Sequence, residues 1–193
     1  MAERRIVFVV SSPSGGGKGT ILADVFQRDS RLRHAVSATT RSPREGEVDG
    51  THYHFLDTRR FKDWIAEGRF AEWATVHDEY YGTLKSELDD ILNSGFDVVL
   101  ELDVQGMRSI SQQRDDVVSI FILPPSIEVL EERLRGRGGL SEENLQRRLK
   151  NAEGEIRAKK EYGYTVLNDI LEDAVKTFET ILSEAREKAI NRA

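Results

Sequence analysis

The chain has 193 residues, of which 38% are hydrophobic and 32% are charged, and its formal net charge is −6. This size suffices to bury a core, while the absence of cysteine excludes a disulfide framework, thiolate chemistry and a cysteine-based zinc site. The acidic charge argues against nucleic acid as a partner, and the apolar runs are too short for a secretory signal or a membrane span. We therefore expect a cytoplasmic protein without a membrane or nucleic-acid partner.

Apolar runs that alternate with helical patterns predict the secondary structure. Strong strands are expected over 6–10, 97–103 and 117–123, and weaker strands over 35–38, 51–56, 70–76 and 164–167. Helices are expected over 18–28, 59–67, 84–93, 126–135 and 141–160, and from about 170 towards the end. The alternation predicts an α/β fold with a central parallel sheet. The core is expected to comprise 1–33, 96–135 and 151–193, with inserts over 34–95 and 136–150.

A glycine-rich loop follows the first strand and opens the first helix. It reads Ser12-Pro13-Ser14-Gly15-Gly16-Gly17-Lys18-Gly19-Thr20, in the strand–loop–helix context of the G-x-x-x-x-G-K-[ST] signature. The glycines let backbone N–H groups turn towards a phosphate, and the helix N-terminus and Lys18 add positive charge. Ser12 replaces the first glycine and Gly19 replaces the metal-binding hydroxyl, so Thr20 is the candidate metal ligand, directly or through water. The loop predicts a nucleoside triphosphate site.

Four further motifs follow this loop. They are Ser37-Ala-Thr-Thr-Arg41-Ser-Pro-Arg44-Glu-Gly-Glu, Gly50-Thr-His-Tyr53-His-Phe55, Glu72-Trp-Ala-Thr-Val-His-Asp-Glu-Tyr80-Tyr81-Gly82-Thr83 and Glu101-Leu-Asp103-Val-Gln-Gly106. In this order and spacing they resemble the guanylate kinases, over nearly the whole chain. The resemblance implies a P-loop NTPase-type three-layer core, a mixed α+β insert (34–95) that binds GMP, and a small lid (136–150) that closes over ATP.

The resemblance also implies roles for individual residues. It places Arg41, Arg44, Tyr53 and Tyr81 on the GMP phosphate, and Ser37, Glu72, Thr83 and Asp103 on the guanine. It makes Arg137 and Arg148 lid arginines that close onto the phosphates. Arg133 flanks the same glycine-rich segment as an ATP-side residue, and Asn168 resembles an adenine-side contact. The expected catalytic set is Lys18, Arg41, Arg137 and Arg148.

The chemistry of these residue types agrees with those roles. Guanidinium forks suit a phosphate dianion, although a solvated basic turn is the alternative for Arg41 and Arg44. Guanine presents N1–H and its amino group side by side, two donors that the Glu72 carboxylate can accept, whereas adenine presents an acceptor at N1. The Ser37 and Thr83 hydroxyls can donate to guanine O6. The alternative for Glu72 is an ordinary surface charge.

Two acids stand near the C-terminal end of the second strong strand. Their spacing places the carboxylates of Glu101 and Asp103 on one face of the strand, at the sheet edge where open α/β folds bind ligands. Glu101 is a candidate to orient a magnesium-bound water, and Asp103 to reach the guanine or the arginines. A strand-end cap or a structural ion pair is the alternative. The glycines and the expected lack of apolar anchors predict that 136–150 is mobile without ligands.

The sequence as a whole predicts an enzyme of purine nucleotide metabolism that transfers the γ-phosphoryl group of ATP to GMP with Mg²⁺. No general base is needed, because the acceptor phosphate is already anionic. One alternative is a phosphopeptide-binding module of the same fold, and another is a kinase for a different phosphate ester such as a ribose bisphosphate. The intact phosphate loop argues against the first, and the guanine-reading Glu72 against the second. The sequence does not indicate an oligomeric state.

Overall fold

The structure, a computed structural model, describes residues 5–76, 78–136, 138–139 and 141–191. Along the chain, its strands and helices are β1 (Val7–Ser11), α1 (Lys18–Arg28), β2 (Leu32–His34), β3 (Ala38–Thr39), β4 (His54–Phe55), α2 (Thr58–Ala66), β5 (Phe70–Val76), β6 (Glu79–Leu84), α3 (Lys85–Asn93), β7 (Asp97–Glu101), α4 (Val104–Gln113), β8 (Val117–Leu123), α5 (Ile127–Gly136), α6 (Glu142–Arg157), β9 (Tyr164–Leu167) and α7 (Leu171–Ile190). A 3₁₀ turn follows α6 at Ala158–Glu161.

The central sheet has five parallel strands in the order β2-β7-β1-β8-β9. All five residues of β1 are buried, because both faces of the sheet are covered by helices. Phe8 and Val10 pack with α1 and α7 on one face, while Val7 and Val9 pack with α3 and α4 on the other. The predicted α/β fold, with a central parallel sheet between two helical layers, is confirmed.

A second sheet of four strands, in the order β4-β3-β6-β5, lies within residues 38–84. Its longest pair is antiparallel, with Glu72 of β5 opposite Thr83 of β6. Phe61 of α2 stacks on Phe70 of β5 with ring centroids 4.4 Å apart, and both are buried. On its other side, β5 packs against α4, the helix that follows β7 of the central sheet. The strand that carries Glu72 is therefore held against the helix that follows Asp103.

The structure corrects several predicted elements. Helix α4 and strand β6 were not predicted, the strand expected over 51–56 is only two residues long, and the strand expected over 35–38 is replaced by the separate β2 and β3.

The expected lack of apolar anchors in 136–150 is wrong for its second half. Leu145 and Leu149 of α6 are buried against Leu130 and Leu134 of α5, so the start of α6 is fixed to α5. Within the described residues, no helix is long and apolar enough to cross a membrane.

Candidate active site

The phosphate loop has a backbone that glycine allows and other residues resist. Gly15 and Gly17 have φ angles of 89° and 88°, in the left-handed region. The Asn168 side-chain amide donates to the Gly16 carbonyl oxygen at 2.8 Å, and a Cβ atom on Gly17 would lie 2.0 Å from the Asn168 Nδ2. Asn168 thus packs directly on the loop and fixes its shape. Its amide group occupies the space that a side chain at position 17 would need.

A cleft of about 340 Å³ opens beside this loop, and it is lined by Gly15, Gly17, Thr20, Arg133, Asn168, Asp169 and Leu171. Arg133 Nη2 donates to the Asn168 carbonyl oxygen at 3.1 Å. Arg133 Nη1 is buried and has no hydrogen-bond partner among the residues that the structure describes. An unpaired guanidinium donor next to a glycine loop is suited to a phosphate oxygen. The structure thus brings together the predicted residues Thr20, Arg133 and Asn168.

A second cleft, of about 190 Å³, lies between the two sheets and contains residues of both. The core contributes Ser12, Lys18, Glu101, Leu102 and Asp103, and the second sheet and its loops contribute Ser37, Tyr53, Glu72, Ala74, Val76, Tyr81 and Gly82. Because this cleft lies beyond the carboxyl ends of β1 and β7, it occupies the usual ligand position of an open α/β sheet. Three of the four predicted guanine residues, Ser37, Glu72 and Asp103, therefore share one cleft with the phosphate-loop lysine, and Thr83 does not line it.

At the core side of this cleft, Glu101 is held by two groups that can carry positive charge. Its Oε2 atom lies 3.3 Å from Lys18 Nζ, and its Oε1 atom lies 3.2 Å from His34 Nε2. Burial alone would raise the pKa of Glu101, but the hydrogen bond from His34 and the charge of Lys18 outweigh burial and lower this pKa to about 2. Glu101 is therefore an ionised carboxylate at neutral pH and holds Lys18 at the mouth of the phosphate loop.

On the opposite side, the hydrogen bonds that Glu72 accepts from the described residues come from neutral groups. Its Oε1 atom accepts hydrogen bonds from the Thr83 backbone N–H at 2.9 Å and from the Thr83 hydroxyl at 2.8 Å. Burial raises the pKa of Glu72 to about 7; the bonds from Thr83 oppose this rise, and the charge of Asp103 adds to it. The expected donation from the Thr83 hydroxyl to guanine is not what the structure shows, because Thr83 is fully buried and donates to Glu72.

The predicted phosphate arginines differ in their positions. Arg41 donates to both carboxylate oxygens of Glu47, at 2.9 and 2.8 Å, and its guanidinium lies 5.3 Å from the Tyr53 ring centroid. The rings of Tyr53 and Tyr81 meet edge to face at 6.1 Å. Hydrogen bonding from Arg41 lowers the pKa of Glu47 to about 2. Arg44 is exposed, and its backbone N–H also donates to Glu47. Neither arginine is among the cleft-lining residues, although Tyr53 and Tyr81 beside Arg41 are.

A third cleft, of about 470 Å³, lies between α6 and the phosphate loop. Arg148 Nη1 donates to the Ser14 hydroxyl at 3.2 Å, so the predicted lid arginine contacts the loop. Glu155 is on the same face of α6, seven residues further on. Burial raises the pKa of Glu155 to about 7, the charge of Asp103 adds to this rise, and Lys18 opposes it. The other predicted lid arginine, Arg137, lies outside the described residues.

Asp103 combines two features that the sequence left as alternatives. Its Oδ1 atom accepts a hydrogen bond from the Gly106 backbone N–H at 2.8 Å, so it caps the N-terminus of α4. It also lines the clefts that contain Glu72 and Arg148. A capping carboxylate has unused lone pairs, so the cap does not prevent Asp103 from accepting a further hydrogen bond in the cleft.

The two residues predicted as metal ligands, Glu101 and Thr20, line different clefts. Among the described residues, no group of three or more histidine, aspartate or glutamate side chains could hold a metal by itself. Mg²⁺ usually keeps several waters and binds through one or two carboxylates together with substrate phosphates, which Glu101 could provide. Because Thr20 lines the other cleft, the structure does not bring the two predicted ligands together.

Three residues of this region were not singled out from the sequence. His34 reaches Glu101 because β2 and β7 are neighbouring strands, a pairing that local patterns do not indicate. Glu47 becomes the partner of Arg41 through a loop that has no regular structure. Glu155 could have been found, because a spacing of seven from Arg148 places both on one helix face.

Comparisons with known proteins agree with this geometry. A family model described as guanylate kinase matches residues 3–185. The guanylate kinase of Rickettsia prowazekii is 42% identical to this chain, covering 96% of it and 94% of the relative. That of Clostridium perfringens is 48% identical, covering 93% of the chain and 83% of the relative. The crystal structure of guanylate kinase from Anaplasma phagocytophilum has a TM-score of 0.78 and 31% identity, covering 95% of this chain and 87% of that one.

Proposed function

Because the chain belongs to the guanylate kinase family, whose known reaction is phosphoryl transfer from ATP to GMP, we propose that GMP binds in the cleft between the two sheets and ATP at the phosphate loop. The chain is thus a kinase of a nucleotide. The observation that carries the proposal is that one cleft is lined both by Lys18 of the phosphate loop and by Glu72 of the second sheet. A bound GMP would present its base to Glu72 and direct its phosphate towards the phosphate loop.

In this proposal the base of GMP is read by Glu72, whose hydrogen-bond donors among the described residues are the backbone N–H and the hydroxyl of Thr83. Glu72 Oε1 accepts from Thr83, which leaves Oε2 and the remaining lone pairs for guanine N1–H and the guanine amino group. These donors would favour the ionised carboxylate and so offset the cost of its burial. Ser37 and Asp103 line the same cleft and are assigned to other edges of the base. Thr83 is assigned to holding Glu72 in place.

The phosphate of GMP would replace Glu47 as the partner of Arg41. In the free protein, Glu47 accepts hydrogen bonds from both Nη1 and Nη2 of Arg41, as two phosphate oxygens would. Tyr53 and Tyr81 line the cleft beside this arginine, and their hydroxyls are suitable donors. Arg44 is assigned to the same phosphate, which requires its exposed side chain to turn inward. The range 34–95 is accordingly our proposed GMP-binding insert.

The triphosphate of ATP is assigned to the loop Ser12–Thr20, with Arg133 and Asn168 beside it. The loop backbone, the N-terminus of α1 and the unpaired Arg133 Nη1 supply donors for the phosphates. A Mg²⁺ ion bound with ATP would supply positive charge that offsets the negative charge of the phosphates. Glu101 is our candidate for orienting a water of that ion, and Lys18 would then move from Glu101 to the phosphates. Because both substrates are cytoplasmic metabolites, we place the reaction in the cytoplasm.

The segment 136–150 is our proposed lid. Arg148 already contacts Ser14 of the phosphate loop, so a small movement of α6 would bring its guanidinium to a bound phosphate. Arg137 is assigned the same role from its place in the sequence. Phosphoryl transfer depends mainly on positioning and charge neutralisation, which Lys18, Arg41 and the lid arginines would provide.

The test is an assay of ADP release with ATP, Mg²⁺ and one of four acceptors: GMP, AMP, CMP or UMP. We expect GMP to be preferred over AMP by at least about 100-fold in kcat/KM, because each adverse contact at the buried carboxylate costs about a factor of ten or more. A ribose phosphate without a base serves as a fifth acceptor. Equal rates with GMP and AMP, or a preference for the baseless phosphate, would contradict the proposal.

A further inference from the structure

Gly106 is the last residue of the Glu101–Gly106 motif, and the proposed reaction gives it no role. It lies in the first turn of α4 and is buried. Its backbone N–H donates to Asp103 Oδ1 at 2.8 Å. A Cβ atom at this position would lie 2.8 Å from Glu72 Oε2 and 3.2 Å from the Leu102 Cβ. A separation of 2.8 Å is too short for a carbon and a carboxylate oxygen, so an alanine here would force Glu72 to move.

The backbone does not explain why this residue is glycine. Gly106 lies inside a regular helix, and its φ angle is not among the positive values found elsewhere in the chain. In a helix, alanine is the more favourable residue, because glycine loses more conformational freedom on folding. The missing side chain is therefore explained by what it would contact, and the shortest of these contacts is with the carboxylate of Glu72.

The two oxygens of Glu72 differ in how firmly they are held. Oε1 is fixed by the two hydrogen bonds from Thr83, while Oε2 faces Gly106. A methyl group at position 106 would thus displace the free oxygen, which is the better placed of the two to accept from guanine. The fold would change little, because the displaced atom is the end of a side chain.

We infer that Gly106 is a positioning residue for guanine recognition, whose lack of a side chain sets the place of the Glu72 carboxylate. This inference rests on the proposed function of the cleft. The helix α4 then contributes twice to the guanine side, since Asp103 caps it and Gly106 leaves room for Glu72 against β5. The alanine variant retains the N–H that binds Asp103, so it isolates the effect of the methyl group.

The first test compares Gly106→Ala with the parent in steady-state kinetics and thermal unfolding. We expect the KM for GMP to rise about tenfold, on the scale of one lost hydrogen bond to a charged group, while the KM for ATP stays within about twofold. The preference for GMP over AMP should narrow, and the unfolding temperature should not fall. Ser111→Ala is the control, because Ser111 is on the same helix, exposed, and outside the clefts described above.

The second test uses the shorter carboxylate of Glu72→Asp. Aspartate withdraws the carboxylate by one methylene, away from a methyl group at position 106. We expect Gly106→Ala to raise the KM for GMP about tenfold in the parent but by less than about threefold in the Glu72→Asp background, because the two residues are in contact. The same factor in both backgrounds would overturn the inference.

Other outcomes separate this inference from the proposed function. If the parent phosphorylates GMP and Gly106→Ala has the same kinetics as the parent, the inference is wrong and the proposed function stands. A Gly106→Ala protein that unfolds at the assay temperature would make Gly106 a packing residue, which also overturns the inference. If the parent does not use GMP at all, the proposed function itself is wrong.

Discussion

The two glutamates that line the cleft between the two sheets have pKa values shifted in opposite directions. Burial raises the pKa of Glu72 to about 7, whereas Glu101, for which burial acts in the same direction, has a pKa of about 2. The difference lies in their partners: Thr83 gives Glu72 neutral donors, while His34 and Lys18 surround Glu101 with groups that carry positive charge. Burial acts on both carboxylates in the same direction, so the opposite directions of their pKa shifts come from their different partners.

This contrast corresponds to two tasks in the proposed reaction. On the phosphate side, the charges of Glu101 and Lys18 compensate each other before substrates bind, and Glu101 holds Lys18 where phosphates are expected. On the guanine side, the two hydrogen bonds from Thr83 do not offset the burial of Glu72, and guanine would supply further donors that favour the ionised carboxylate. Recognition of the base would thus depend on an incomplete site, and transfer of the phosphoryl group on a charged one.

The largest effect is expected for Lys18→Met, which removes the positive charge of the phosphate side. Turnover should fall by about 10²- to 10³-fold or more, the range for losing one preorganised charge-stabilising group. The protein should stay folded, because Lys18 is partly exposed and contacts Glu101 rather than the core. Lys176→Met, an exposed change on α7, is the control and should have the parent's kcat. Near-normal turnover of Lys18→Met would refute the role given to the phosphate loop.

A smaller effect is expected for Glu72→Gln, which replaces an acceptor oxygen of the guanine side with an amino donor. A hydrogen bond to a charged group is worth about 1.5–3 kcal/mol, so kcat/KM for GMP should fall by about 10- to 150-fold. The KM for ATP should barely change, and the preference for GMP over AMP should narrow. Glu67→Gln, an exposed change in the same region, serves as control. If Glu72→Gln uses GMP as well as the parent does, Glu72 does not read the base.

The raised pKa of Glu72 predicts a pH dependence of GMP binding. Its folded-state pKa, about 7, lies above the ordinary 4.5, so the carboxyl group is protonated in the fold up to about pH 7 and ionised above it. The protonated Glu72 therefore makes its full contribution to the free energy of unfolding below pH 4.5, and this contribution is lost as the pH rises through 7. Because guanine donors favour the ionised form, the KM for GMP should rise as the pH falls below 7, approaching tenfold per pH unit.

The matched variant for this pH experiment is Glu72→Gln, which cannot titrate at position 72. Glu155 also has a pKa of about 7, and the phosphate of GMP titrates, but both are present in parent and variant alike. The ratio of the two KM values should therefore isolate Glu72. A ratio that does not change between about pH 6 and pH 8 would show that Glu72 does not titrate in this range.

The smallest effect is expected for His34→Ala, which loosens Glu101 without touching the guanine side. The bond is half-exposed, so its loss is worth about 0.5–1.5 kcal/mol and should lower kcat by up to about tenfold. The KM for GMP should be unchanged. His34→Gln retains a donor and should recover part of the loss. A rise in the KM for GMP with an unchanged kcat would contradict the assignment of His34 to the phosphate side.

The sequence predicted the parts of the fold that depend on local patterns. The apolar run of β1 and the glycine loop identified the core, and the predicted fold class is confirmed. Helix α4 was missed because Val104–Gln113 is mostly polar, although Asp103 as cap and the buried Met107 and Ile110 three residues apart are signals for it. Strand β6 was missed because its pairing with β5 is formed by tertiary structure rather than by its composition.

For the site, the sequence predicted which residue types are needed but not how they are paired. Glu72 was expected at the guanine and Lys18 at the triphosphate, and the structure places both in one cleft. Their partners could not be predicted, because His34 reaches Glu101, and Thr83 reaches Glu72, only through strand register. The roles of the remaining residues stay predictions, Arg137 and Arg148 among them.

Calorimetric titration of GMP into Lys18→Met and Glu72→Gln tests the division of the cleft most directly, because it measures binding without turnover. We predict that Lys18→Met binds GMP within about threefold of the parent's affinity, although it hardly turns over. Glu72→Gln should bind GMP at least about tenfold more weakly, on the scale of one charge-assisted hydrogen bond. The reverse pattern, with GMP binding lost in Lys18→Met and retained in Glu72→Gln, would contradict the assignment of one side to the base and the other to phosphoryl transfer.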